Sequence, residues 1–223
     1  MKSKRKSISN LSRDKIVTEA IAIADRDGIP GLTMRKLAEA LGVEAMSLYH
    51  HIKNKKELIT EMVDAVVPMI PRLESCVDWK DALRKRAGLM REALIRHPWA
   101  AHEFVTGINV GPNMLRYVDT TTGYFLTAGF SYKLTDYAWN VIDSYMYGFN
   151  LQSQNFPLQP SEYKEAAKQF LPMIPKDTYP HMHTMAQVII GGEYDGIQDF
   201  NFGIEIILES LERLLHGIQG ETE

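Results

Sequence analysis

Apolar residues recur at intervals of three and four along almost the whole chain, and the two-residue alternation of a half-buried strand is nearly absent. Ile16, Ala20, Ile23 and Ala24 form one stripe, with Val17 widening it. Leu58, Met62, Ala65 and Val66 form a second, and Trp79, Leu83, Ala87, Met90, Ala93 and Leu94 a third, spaced as core packing rather than as a ligand site. A helical period in segment after segment restricts the chain to packed helices, so the expected fold class is all-α. Breaks at glycine, proline and capping residues predict helices over 13–27, 33–41, 45–51, 54 to Pro68 or Pro71, 78–97, 99–107, 112–128, 135–154, 161–171, 178–190 and 200–217. Ser12, Thr33, Asn54, Asp78, Thr135 and Ser161 are the expected N-caps.

At 223 residues the chain suits one large or two small domains. No apolar run approaches the roughly 20 residues of a membrane helix. The N-terminal MKSKRKSISNLSRDK is basic without an apolar stretch behind it, unlike a secretory signal. Cys76 is the single cysteine, which excludes an internal disulfide and a Cys-rich zinc site. The expected location is the cytoplasm, with no membrane partner. The net charge of −3 hides an asymmetry: residues 1–60 hold 12 Lys and Arg against 7 Asp and Glu, and the remainder holds 13 against 21. A basic module on an acidic body is the footprint of a DNA-binding end. KSKRK near the N-terminus is either a minor-groove arm or a tail adding non-specific affinity.

The stretch from Thr33 to Lys53, TMRKLAEALGVEAMSLYHHIK, has the spacing of a helix-turn-helix. Ala38 is small where two helices would cross, and Gly42 can take the positive φ of a tight turn. Val43 and Leu48 fill the angle, with Leu37 and Leu41 behind. A buried hairpin would carry an apolar stripe through 44–51. Instead Glu44, Ala45, Met46, Ser47, Tyr49 and His50 are outward groups suited to base edges: a hydroxyl, small apolar groups, an aromatic and a ring donor. Adjacent His50 and His51 point about 100° apart on a helix and do not converge on a metal.

LTMRKLAEALGVEAMSLYHHIKNKKEL resembles the DNA-binding motif of the tetracycline-repressor (TetR) family of bacterial transcriptional regulators, over about residues 11–65. RHPWAAHEF, GPNMLRYVD and FNFGIEIILESLERLL are similar to that family's C-terminal regulatory domain. The resemblance implies a two-fold symmetric all-α homodimer binding a palindromic double-stranded operator, probing one major groove with each recognition helix. It implies a helix-turn-helix domain over 1–60, its three-helix core preceded by a flexible basic arm at 1–10, and a larger helical regulatory and dimerisation domain over 61–223. DNA contacts are then expected from Thr33, Met34, Arg35, Glu44, Ala45, Met46, Ser47, Tyr49, His50, Lys53 and Lys55. Ala45-Met46 and His50 depart from the Gln-Pro and Trp of tetracycline-responsive members, so the operator sequence is not legible.

Within the body, His102, Thr106, Asn109, Asn113, Met114 and Tyr117, with Asp143, Tyr147 and Asn150 on the long helix, place polar groups among apolar ones. That mixture suits a small-molecule effector site. The acidic body favours a cationic hydrophobic compound. Tyr145, Phe149, Phe202, Ile206, Leu208, Leu211 and Leu215 supply apolar faces for a four-helix dimer contact, or for burial within one subunit. His181 and His183 lack an evident carboxylate partner for a metal, and no nucleophile elbow, phosphate loop or HExxH motif is present. No cofactor, metal or catalytic residue is therefore expected. The favoured function is a ligand-released repressor. The alternatives are a DNA-binding co-regulator controlled by a protein partner, and a metal-dependent hydrolase.

Overall fold

The computed structural model describes residues 11–194 and 199–220, and the described residues are helical with no strand. The basic segment 1–10 lies outside them. The helices are α1 Arg13–Gly31, α2 Met34–Leu41, α3 Ala45–Leu48, α4 Lys55–Val66, α5 Trp79–Arg96, α6 Ala100–Thr106, α7 Pro112–Thr127, α8 Tyr132–Asn155, α9 Tyr163–Phe170, α10 Pro180–Gly191 and α11 Phe200–Gly220.

Local chemistry sets the N-terminal boundaries. Ser12 accepts from Lys15 N at 3.3 Å and Thr33 from Lys36 N at 3.1 Å. Gly28, at φ 69 and ψ 171, interrupts α1 where the sequence places its end. Asn54 accepts from Glu57 N at 2.9 Å, but Glu57 returns its carboxylate to Lys53 N at 2.6 Å, one residue earlier than in the usual capping box.

Two expected caps move. Ser131, accepting from Leu134 N at 3.2 Å, opens α8 instead of Thr135, which lies inside the helix at 5% exposure. Glu162 rather than Ser161 precedes α9, and it makes no side-chain cap bond. The regular part of α3 also stops at Leu48, short of the expected residue 51, and continues as turn.

Helices α1 to α4 pack as one unit, α1 lying against both α2 and α4. Ile16, Ala20, Leu37, Leu48, Ile52, Leu58 and Met62 are fully buried there. Truncating one of its leucines, such as Leu48→Ala, costs about 2–5 kcal/mol. In the body α5 runs against α7 and α8, and α11 packs on α8 and α5. The predicted α5 stripe is its core: Leu83, Ala87, Met90 and Leu94 are at most 1% exposed. Helices α9 and α10 pack on each other and bury little, Ala186 being the buried side chain of the pair.

Residue 60, the expected domain boundary, falls inside α4. That helix packs on α1 below and on α6 and α7 above, so it belongs mechanically to both parts.

Candidate nucleic-acid interface and effector core

The turn between α2 and α3 is built as the sequence predicts. Gly42 adopts φ 68, ψ 32; its N–H donates to Glu39 O at 3.2 Å, and Val43 N donates to Ala38 O at 3.0 Å. These two bonds form a Schellman motif, which satisfies the last carbonyls of α2 and swings the chain into α3. Ala38 and Leu48 are buried in the angle between the helices. Met46 is 69% exposed and Tyr49 45% exposed, unusual for large apolar side chains. Glu44, His50 and Lys53 are exposed beside them, with Ser47 half-buried.

Around this helix, Thr33 and Arg35 are exposed at the start of α2, and Arg35 pairs loosely with Glu39 at 3.4 Å. Met34 and Ala45 pack partly on the core, so each has only a portion of its surface free. Lys55 is half-buried, and its ammonium donates to Ile29 O at 3.0 Å, bracing α4 against the end of α1.

The residues expected to form one effector site separate into three groups and a lone Asn150. His102, Thr106 and Asn109 stay near the surface: Thr106 donates to His102 O at 2.9 Å, and Asn109 ties its own loop to Glu103 O at 3.3 Å. His102 does line a different cleft of about 570 Å³, between the two parts, with Asp25, Pro30, Trp99 and Gln154. Asn113 and Met114 open α7, where their N–H groups donate to the Asp64 carboxylate at 3.3 and 2.8 Å. Asp64 thus satisfies the N-terminal donors of α7 from α4.

Only Tyr117, Asp143 and Tyr147 come together, around a residue the sequence reading missed. Arg86 of α5 is 0% exposed, and its Nη2 donates to Asp143 Oδ1 at 2.6 Å. Its guanidinium carbon lies 4.8 Å from the Tyr117 ring centre and 4.5 Å from that of Trp139. Arg86 Nε and Nη1 and the Tyr117 hydroxyl are buried without a hydrogen-bond partner. Burial pushes the Tyr117 and Tyr147 hydroxyls well above the ordinary tyrosine pKa, with the Asp143 charge adding to both. Asn150 is buried further along α8, its amide donating to Met146 O at 2.8 Å. The sequence did carry a signal for Arg86: it sits three residues after Leu83 and four before Met90, a charged side chain at core spacing.

Four of the residues expected at a dimer contact are internal. Phe149, Leu208, Leu211 and Leu215 are at most 8% exposed within the single subunit, where α11 packs on α8 and α5. Surface already buried there is not available to a partner. Tyr145 is held by Phe200 O at 3.0 Å and stacks on its ring. Phe202 at 66% and Ile206 at 49% do remain outward, in a groove shared with Ser144, Gly148 and Gln152 of α8. Val141, 51% exposed, lies one turn earlier on α8.

Among the described residues, no three His, Cys, Asp or Glu side chains gather as metal ligands. His183 Nδ1 instead lies 2.7 Å from Ile174 O. No helix among those residues is long and apolar enough to cross a membrane.

Residues 16–62 match the family model described as bacterial regulatory proteins, tetR family, and residues 71–215 match the tetracyclin repressor-like C-terminal domain. The chain belongs to the tetracycline-repressor family of transcriptional regulators. An HTH-type transcriptional regulator of Saccharopolyspora erythraea is 37% identical over 121 residues, 54% of this chain and 51% of that protein. The chain therefore matches only about half the length of that relative. The HTH-type transcriptional repressor DrrR1 of Streptomyces coeruleorubidus is 29% identical over 226 residues, covering 95% of this chain and 81% of the relative. The fold is also that of the TetR family protein ActR of Streptomyces coelicolor, in complex with actinorhodin. The TM-score is 0.78 at 23% identity, over 92% of this chain and 96% of ActR. The family is one of regulators, not enzymes, which removes the hydrolase alternative.

Proposed function

We propose that this TetR-family repressor binds a palindromic operator as a homodimer and releases it when a small molecule occupies the body. The observation that carries the reading is the recognition helix: Met46, Tyr49 and His50 stand outward on a rigid helix-turn-helix whose core needs none of them. Glu44 to Ser47 enter the major groove. Thr33, Arg35, Tyr49 and Lys53 hold phosphates, and the N-terminus of α4 adds its backbone donors. Met34, Ala45 and Lys55 contribute from the edge of the packed core.

The dimer forms across the groove between α8 and α11, where Phe202, Ile206 and Val141 are exposed. Two subunits place two recognition helices one DNA turn, about 34–36 Å, apart. Release follows from movement of α4, which is held to α7 through Asp64 and carries the DNA-binding unit at its other end. An effector shifts this equilibrium only by its difference in affinity for the two arrangements. ActR, of the same fold, holds actinorhodin, which supports a small-molecule effector over control by a protein partner.

Fluorescence anisotropy on an operator duplex, with sedimentation in parallel, tests the reading. Wild type should bind as a dimer. Phe202→Glu should sediment as a folded monomer and lose at least about tenfold in operator affinity, or about 1.4 kcal/mol. A Phe202→Glu protein that remains dimeric and binds normally would contradict this dimer face.

A further inference from the structure

The guanidinium of Arg86 is fully buried and donates through Nη2 to Asp143 at 2.6 Å. Its Nε and Nη1 donors and the Tyr117 hydroxyl, on a side chain 3% exposed, have no partner. Buried donors of a charged group are costly to leave unmade, and a core that only had to pack would carry Leu or Met at position 86. Tyr117 also lines a cleft of about 190 Å³ with Ala65, Val67, Met69, Ile70 and Arg116. Its ring centre lies 4.8 Å from the Arg86 guanidinium carbon. The cleft is therefore apolar along the end of α4, has Asn113, Arg116 and Thr120 on its α7 wall, and reaches Tyr117, whose ring packs on the Arg86 guanidinium.

The charges facing this place favour an anion. Asp143 is committed to Arg86, and Asp64 to the N-terminal amides of α7. Arg116 lines the cleft, and the Nε and Nη1 donors of Arg86 have no partner among the described residues. The acidic body as a whole points to a cationic effector, but the buried Arg86 counts far more here than distant, screened charges. Tyr117 and Trp139 pack their rings on the guanidinium, so the cleft is aromatic on its Tyr117 side, which suits a planar ligand. A space of this size takes a molecule of one or two rings.

We propose that the effector is a small aromatic carboxylate that enters between the α4–α5 connection and α7 and places its carboxylate on Arg86, the Tyr117 hydroxyl and Arg116. The proposal rests on the reading of the chain as an effector-released repressor. Because Ala65 and Val67–Ile70 line the cleft, the ligand bears on the end of α4 and the chain that follows it. A carboxylate offers two acceptors to the planar donors of arginine, which lysine cannot reproduce.

The test uses three probes of one shape on the full chain: 2-naphthoate, 2-naphthamide and 2-(aminomethyl)naphthalene. Calorimetry and thermal shift read binding, and anisotropy reads release of operator DNA. The expected result is naphthoate binding at least about tenfold tighter than the amide or the amine. Arg86→Met should abolish that preference. Should the methionine variant not fold, Arg86→Lys, which keeps the charge, should bind naphthoate about tenfold more weakly, and Tyr117→Phe several-fold more weakly.

The proposal is overturned if the amine binds as well as naphthoate, if the Arg86 variants bind naphthoate as wild type does, or if none of the three binds. Such a result with operator binding intact leaves the repressor reading standing. Naphthoate bound through Arg86 by a chain that binds no operator would instead remove the repressor reading and keep the site.

Discussion

Asp25 of α1 accepts a hydrogen bond from the Trp99 indole Nε1 at 2.7 Å, tying the DNA-binding unit to the start of α6. The same carboxylate oxygen lies 2.8 Å from His97 Nδ1. Trp99 is 8% exposed, so its N–H has little access to water as a substitute. Asp25→Ala should therefore cost about 1–3 kcal/mol in urea unfolding, and Asp25→Asn, which keeps an acceptor, less. Equal stability of Asp25→Ala and wild type would show that the bond carries nothing.

Asp64 makes the second tie, from α4 to the first turn of α7. Loss of such a cap costs about 0.5–2 kcal/mol, which is the expected effect of Asp64→Ala. Gly111 supplies an independent check, because a methyl group there would overlap the Asp64 carboxylate. Gly111→Ala should displace the cap, and adding it to Asp64→Ala should cost much less than the sum of the two single changes. Strict additivity in that double-mutant cycle would mean the two residues act separately.

Arg86 and Asp143 should behave as a pair kept for binding, not for stability. Asp143→Ala leaves a buried arginine uncompensated and should cost about 3–5 kcal/mol in chemical unfolding. Replacing both, as Arg86→Met with Asp143→Leu, should recover most of that loss. A double variant no more stable than Asp143→Ala would show that the pair itself holds α5 to α8.

Alkaline pH should destabilise the body. Burial pushes Tyr124 up to about 12, and Tyr117 and Tyr147 are also raised, against an unfolded value of about 10. Between those values the native state holds more protons than the unfolded chain, so stability is complete below about pH 10 and falls as pH rises. Tyrosinate absorbance should show these three tyrosines ionising late, together with unfolding. Full ionisation of all 10 tyrosines in a still-folded chain would contradict their burial.

The helix-turn-helix was legible because its determinants are local: a cap at Thr33, a small residue at position 38, a positive-φ glycine at position 42 and apolar plugs at fixed spacing. The dimer and effector residues depend on which of several apolar faces meets which, and spacing alone does not decide that. Phe149 and Leu208 read equally well as an outer seam or an inner one, and the docking of α11 onto α5 and α8 buries them. Arg86 is hidden in sequence because the stripe around it reads as plain packing, and only the three-dimensional arrangement leaves its Nε and Nη1 without a partner. Thr135 resembled a cap in sequence, but Ser131 lies one turn earlier and adopts the extended φ of −70 and ψ of 158 that a cap requires.

The most direct measurement is selection of bound duplexes from a random DNA pool, with wild type and Tyr49→Ala side by side. The account predicts enrichment of a palindrome with half-sites one turn apart, bound with a steep salt dependence, and weaker enrichment for the variant. A pool with no enriched sequence, or equal behaviour of the two proteins, would contradict the claim that this exposed helix reads DNA.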